Sequence, residues 1–305
     1  MDLFVTGISG RLGLNIALQM RDRSNVFGCY HRHAVTLNNV VTQSLDLTSF
    51  DSIFGVLSEI QPDLIIHTAA KTNMDECETD PDSAYQVNVE ATSYIARAAE
   101  ELRAKLVHIS TDNLFDGTMP WMREDHCPNP ISVYSTTKLQ AEEVVARLCP
   151  DALVVRTNIF GWGTSLNKTF SDWALDSLEQ GSQLPAFTDA FSTPILMNDL
   201  VELILDLLDH DAKGLFHLAG RDRVSRYDFA LKIAKVFRCP EGNIRPTSLG
   251  DLPMKAQRTK DMSLNCEKAE QYLGTRMPEL ESGIERLKEL RATGFKETLE
   301  SAVRT

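Results

Sequence analysis

Asp2-Leu3-Phe4-Val5-Thr6-Gly7-Ile8-Ser9-Gly10-Arg11-Leu12-Gly13 opens the chain, and this stretch decides the fold. Residues 2–6 are apolar between their ends and read as a short buried strand. Glycine then recurs at every third position. Leu12, Ile16, Ala17 and Met20 follow on one helical face, so a helix begins inside the glycine run. The order suits a diphosphate. Gly7 permits a tight turn, Gly10 lets backbone approach the anion, and Gly13 lets the helix sit close to the sheet, with the free amides of the helix start facing the ligand. A tight strand–helix turn without a ligand is the alternative.

The chain has 305 residues, 43% of them hydrophobic, enough for one large core or a main body with a smaller lobe. A net charge of −12 argues against a nucleic-acid partner. No stretch approaches a membrane span, and no basic and apolar leader follows Met1. The cysteines (29, 77, 127, 149, 239, 266) are scattered without C-x-x-C spacing. They are expected to be reduced, in a cytoplasmic protein without a metal site.

Residues 26–30 read as a second strand, whose end meets the adenosine ribose in such folds. Tyr30-His31-Arg32-His33 stands there instead of a carboxylate. Arg32 is placed to pair with a 2′-phosphate, which favours NADP(H) with NAD(H) as the alternative; a solvated basic loop is the competing reading. Residues 40–45 form the third strand. Asp46, after it, either meets the adenine amino group or caps the helix at residues 49–59. Residues 63–67 are the fourth strand, followed by the small pair Ala69-Ala70, which allows close approach or simple packing. Asp75, Glu76 and Glu78 read as an acidic loop and residues 81–101 as one long helix. Its Asn88 faces the sheet and, being buried, must be bonded, with the ends of the fourth and fifth strands as expected partners.

Residues 105–109 are the fifth strand, delivering Ser110-Thr111-Asp112-Asn113. Tyr134 and Lys138 lie four apart on one helix face, with Ser132 as the expected cap. Free tyrosine is a poor acid at neutral pH, and a nearby ammonium would lower its pKa. Thr111 is therefore the candidate to hold a reacting carbonyl, Tyr134 to exchange its proton, and Lys138 to tune Tyr134 and bind the cofactor ribose. A Tyr-x-x-x-Lys pair alone is common; joined to the glycine run and Thr111 it is more specific.

These stretches, with residues 62–72, 108–117, 156–161, 194–200 and 258–266, resemble the extended short-chain dehydrogenase/reductases. They are closest to the dTDP-4-dehydrorhamnose reductase family, which includes the regulatory beta subunit of methionine adenosyltransferase. The resemblance covers nearly the whole chain. It implies Thr111, Tyr134 and Lys138 as catalytic residues. It also implies cofactor contacts at Thr6, Gly7, Gly10, Arg11, Leu12, Asp46, Leu47, Ala69, Ala70, Lys138 and Thr157. Asn113 stands where the family usually has tyrosine, and Lys71 where it often has an aromatic, so the sugar is less defined than the chemistry. Related dehydratases carry glutamate at the Asn113 position; asparagine cannot act as that acid or base, which favours reduction. The implied substrate is a nucleotide-linked 4-keto-6-deoxy sugar. The alternative is a non-catalytic NADP-binding subunit of methionine adenosyltransferase.

The expected fold is α/β, a doubly wound parallel sheet with a smaller C-terminal lobe. Residues 1–160 would form the dinucleotide-binding core and 161–305 mainly the substrate lobe, with a segment at about 184–220 returning to the main body. Trp162 is placed either to stack on a base or ring, or to pack the lobe. Arg258, within a cluster of Arg245, Lys255 and Lys260, either meets a nucleotide diphosphate or belongs to a solvated face. The tail after Thr293 reads as only partly ordered. A homodimer is the default assembly.

Overall fold

Asp2–Thr6 forms β1, an interior strand of a seven-stranded sheet in a computed structural model that describes residues 1–251 and 253–303. The other strands are β2 (Asn25–Tyr30), β3 (Val40–Ser44), β4 (Leu64–His67), β5 (Lys105–Ile109), β6 (Leu153–Arg156) and β7 (Gly214–His217). All pair in parallel, in the order β7-β6-β5-β4-β1-β2-β3. Leu3 pairs with Val26 on one side and Leu64 on the other. The chain runs outward to β3 and then returns to the opposite side of β1. That reversal opens a crevice at the C-terminal ends of β1 and β4, where such sheets take ligands.

The strand period of two divides the core. Leu3, Val5, Leu64, Ile66, Val107, Leu153 and Val155 point to one face, toward the helices Arg11–Met20 and Met197–Asp209. Phe4, Ile65, Leu106 and Val154 point to the other, where Phe50–Ile60, Ala91–Leu102 and Val133–Leu148 cover them. Both faces are dry, as an all-parallel sheet requires. Each such side chain contributes about 1.5–3 kcal/mol on burial.

Three short pairings build the lobe: Ile159–Phe160 with Ile195–Leu196, Phe191–Ser192 with Val224–Ser225, and Leu184–Phe187 with Ile244–Thr247. Phe160, Trp162, Phe229 and Leu287 share a buried cluster with Leu3 and Val5, so one core runs through sheet and lobe. Of the 184–220 span, Leu184–Phe187 pairs within the lobe, while Gly214–His217 completes the sheet. Among the described residues no helix is long and apolar enough to cross a membrane.

Two sequence expectations need correction. The acidic loop and the long helix are instead the helices Met74–Thr79 and Pro81–Tyr85, a π turn Gln86–Glu90, and the helix Ala91–Leu102. Asn73 caps the first by accepting from the amides of Asp75 and Glu76, and the extended Asp80 before Pro81 breaks the run. The tail is also ordered as Phe295–Ala302. Its only fully buried side chains are Leu299 and Ala302, too few for a clear sequence pattern, and the Ala302 carbonyl accepts from the Thr36 amide at 2.9 Å.

Candidate active site

The crevice is shaped by the glycine run. Gly7 has φ +65°, and a Cβ there would lie 2.8 Å from the Ala69 Cα; one at Gly13 would lie 2.4 Å from the Gly7 carbonyl. Both glycines are thus demanded by the chain's own packing. A Cβ on Gly10 would meet only the Gly7 carbonyl, at 3.0 Å, so its other side is open. Gly10 is also the N-cap of Arg11–Met20 and gives no side-chain cap, leaving the first-turn amides for a ligand. Ala69 and Ala70 are half-buried beside it. A dinucleotide diphosphate fits this open, amide-lined cradle.

Thr6 plays a different part from a ligand contact through its side chain. It is fully buried, and its Oγ1 accepts from the amides of Thr68 (3.1 Å) and Ala69 (3.3 Å) while bonded to His67 Nδ1 at 2.7 Å. It ties the end of β1 to the end of β4. Thr157, just past β6, has a buried hydroxyl without a partner among the described residues. At the adenosine side, Arg32 is exposed and has no ion-pair partner among the described residues. Asp46 accepts from the Thr48 amide (2.9 Å) and hydroxyl (2.7 Å), which hold its carboxyl below the usual range. Ser49, rather than Asp46, caps Phe50–Ile60. Leu47 lies half-buried between them.

Thr111, Tyr134 and Lys138 converge at the end of β5. Ser132 caps the Val133–Leu148 helix, presenting Tyr134 and Lys138 from its first turns. Thr111 Oγ1 donates to Asp112 Oδ1 (3.3 Å) and accepts from the Asn113 amide (3.3 Å). Burial pushes the Tyr134 phenol up to about 12, nearby Thr111 opposing it and Asp112 adding to it. The expected lowering by Lys138 is absent, because the ammonium is turned inward. It donates to the Ile109 carbonyl at 2.8 Å and lies 3.3 Å from His108 Nε2. Burial lowers the amine to about 8, with Glu142 opposing.

Below this trio lies a buried polar layer. Glu142 takes a forked contact from Arg156 (2.7 Å at its shortest) and a bond from Ser110. Thr92 donates to the Asn88 carbonyl at 2.7 Å, so it accepts from His67 Nε2 at 2.9 Å; His67 Nδ1 then accepts from Thr6. That directionality makes His67 neutral, and burial holds its pKa at about 3. Asn88 binds the Lys71 amide and carbonyl and the Thr137 hydroxyl. It therefore joins the end of β4 to the Tyr134 helix, rather than to β5 as expected, because the π turn rotates it toward that helix.

Trp162 does not stack in the crevice. It is fully buried, donates from Nε1 to the Leu287 carbonyl at 2.9 Å, and packs edge-on against Phe237. The basic cluster also separates. Arg245 contacts Gln183 in the lobe, whereas Lys255 reaches Thr79 and Arg258 holds Asp75 at 3.0 Å. Arg258 Nη1 is buried without a partner among the described residues. Asn113 Nδ2 donates to Asp112 Oδ1 at 2.8 Å. Lys71 Nζ lies 3.4 Å from Asp80.

Sequence reasoning missed Asp112, His108 and Arg226. Asp112 accepts from Asn158, and burial raises its carboxyl to about 6. Arg226, the first residue of Arg226–Phe237, faces Asp112 from the lobe and sits 5.0 Å from the Phe170 ring. Nothing local in the sequence marks it, since it meets Asp112 only through the return of the lobe.

A family model described as RmlD substrate binding domain matches residues 1–291. The chain is similar to the probable low-salt glycan biosynthesis reductase of Haloferax volcanii, 33% identical over 290 residues, spanning 93% of this chain and 96% of that protein. It is 30% identical over 288 residues to methionine adenosyltransferase 2 subunit beta of Pongo abelii, spanning 90% and 84%. A solved dTDP-4-dehydrorhamnose reductase ortholog from Clostridium acetobutylicum aligns with TM-score 0.83 and 28% identity, over 96% of this chain and 100% of that one. The dTDP-4-dehydrorhamnose reductase of Bacillus anthracis, solved in complex with NADP, aligns with TM-score 0.82 and 26% identity, over 94% and 98%.

Proposed function

The chain belongs to the RmlD family, within the dTDP-4-dehydrorhamnose reductase-like branch of the extended short-chain dehydrogenase/reductases, and from that premise we propose an NAD(P)H-dependent reductase of a nucleotide-linked sugar. The observation that carries the reading is the convergence of Thr111, Tyr134 and Lys138 beside an open, amide-lined cradle. Bound in that cradle, the reduced nicotinamide cofactor supplies the hydride. Tyr134 supplies the proton to the developing alkoxide. Its high pKa keeps the phenol protonated at neutral pH, the form a general acid needs. The Thr111 hydroxyl now donates to Asp112, so holding the substrate oxygen requires it to turn. Lys138 would hold the cofactor ribose, and Arg258, whose Nη1 has no partner among the described residues, the substrate diphosphate.

The finer assignment is a 4-keto-6-deoxy sugar on dTDP, reduced by NADPH in preference to NADH. Asn113 supports reduction over elimination, and the exposed Arg32, without an ion-pair partner among the described residues, supports the 2′-phosphate. Six free cysteines support a cytoplasmic setting, with a homodimer as the assembly. Oxidation of NADPH and NADH should be followed with dTDP-, UDP- and GDP-linked 4-keto sugars. Turnover of one or more is expected; no turnover with any of them would contradict the assignment. A second reading, a subunit of a methionine adenosyltransferase assembly, rests on the 30% identity to subunit beta. It would lead if the protein co-purified with that enzyme and reduced no sugar nucleotide.

A further inference from the structure

His108 ends in an unusual position: buried under Lys138, with one ring nitrogen 3.3 Å from the amine and the other, Nδ1, without a partner among the described residues. A buried imidazole nitrogen left unbonded is costly. Histidine at this place on β5 is explained if its Nε2 does something for Lys138.

We infer that His108 is a positioning residue for Lys138: its neutral Nε2 and the Ile109 carbonyl together accept two of the ammonium's N–H bonds and leave the third directed to the cofactor ribose. The inference rests on the NAD(P)H reading only for that last direction. An ammonium has three donors, and two acceptors on the strand side fix its rotation about the terminal bond. The imidazole must be neutral for this, with its proton on Nδ1. Three features keep it so. The site is buried, the ammonium adjoins Nε2, and His67 lies ring to ring at 5.4 Å; all disfavour protonation and hold the pKa of His108 well below the ordinary value. The other charged or titratable groups around the pair are His67 from β4, Glu142 from the lysine's own helix and, bonded to Glu142, Arg156 from β6. Glu142 favours the ammonium, but its charge is shared with Arg156. His108 is the side chain that meets the amine directly, beside the Ile109 carbonyl.

The test uses the apo protein and three variants. His108→Gln keeps an acceptor near the place of Nε2; His108→Asn retains polarity but falls short of the amine; His108→Phe keeps ring bulk and removes the acceptor. The Lys138 amine is titrated by NMR without cofactor, and NADPH affinity is measured by fluorescence. Loss of a neutral acceptor disfavours the ammonium, so Phe and Asn should lower the titration midpoint by about one pH unit and weaken NADPH binding by about fivefold. Gln should restore both toward wild type. Unchanged midpoints and affinities in folded Phe or Asn variants would overturn the inference. If Phe does not fold, equal behaviour of Gln and Asn would overturn it. Should the protein bind no NADPH, the cofactor reading fails, while the apo titration still decides the His108–Lys138 contact.

Discussion

The two ends of the same sheet treat charge in opposite ways. At the N-terminal ends of the strands, Lys105 pairs with Asp211 and Lys213 with Asp151, in side chains more than half exposed. A cleft of about 330 Å³ opens there between Arg103, Lys105, Cys149 and Lys213. At the C-terminal ends, Arg156 and Glu142 are 3% and 9% exposed, beside buried Lys138, His67 and His108. Exposed pairs contribute little, while buried charges are costly unless fully bonded. Among the described residues the sheet therefore buries charge at its C-terminal end, and concavity alone does not identify the site.

The largest expected effect is chemical. Tyr134→Phe should cost about 10²–10⁴ in turnover, with NADPH affinity nearly unchanged. Similar rates for variant and wild type on the best substrate would remove Tyr134 as the acid. Next comes stability. Arg156→Met leaves Glu142 buried without its ion-pair partner, and urea unfolding should show a loss of about 3–5 kcal/mol. A loss no greater than that of Lys213→Met at the other end would break the comparison.

The polar layer should also make the fold acid-sensitive. His67 and His217 are held at about 3 by burial, with the cation of Lys138 or Arg156 adding to it. Their folded values lie below the unfolded value near 6.5. The unfolded state binds more protons, so the stability they confer is full above pH 6.5 and lost as pH falls toward about 3. Between pH 7.5 and 5.5 the two should together cost about 3 kcal/mol, read by urea unfolding. His67→Gln should flatten that slope; an unaltered slope would detach it from this layer.

Much of this was legible in the sequence for definite reasons. The strand–glycine–helix opening needs only local chemistry, and Tyr134 with Lys138 needs only helical spacing. The alternation that sends Leu3 and Val5 one way and Phe4 the other is likewise local. What was hidden depends on distant partners. Trp162 lies between two glycines and looks available to a ligand, yet Leu287 and Phe237 enclose it. Helix spacing marks Lys138 as a tuner of Tyr134, but it does not carry the pull of Ile109 and His108. Arg226 reaches Asp112 only after the lobe folds back.

Smaller effects belong to the rim. Arg32→Ala should reduce the preference for NADPH over NADH by about tenfold, without harming NADH binding, since a single charge-assisted contact is lost. Equal binding of both cofactors by the wild type would remove that assignment. Lys213→Met should leave the unfolding midpoint unchanged, in keeping with its exposed pair.

The most direct measurement follows the hydride itself. Wild-type protein is given NADPH carrying deuterium at the transferable nicotinamide position, together with the best nucleotide-linked 4-keto sugar, and the product is read by NMR. Deuterium on the sugar carbon that bore the carbonyl, one atom per cofactor oxidised, is the result expected of a strand-end reductase. Cofactor bound without deuterium reaching any sugar in the panel would contradict it.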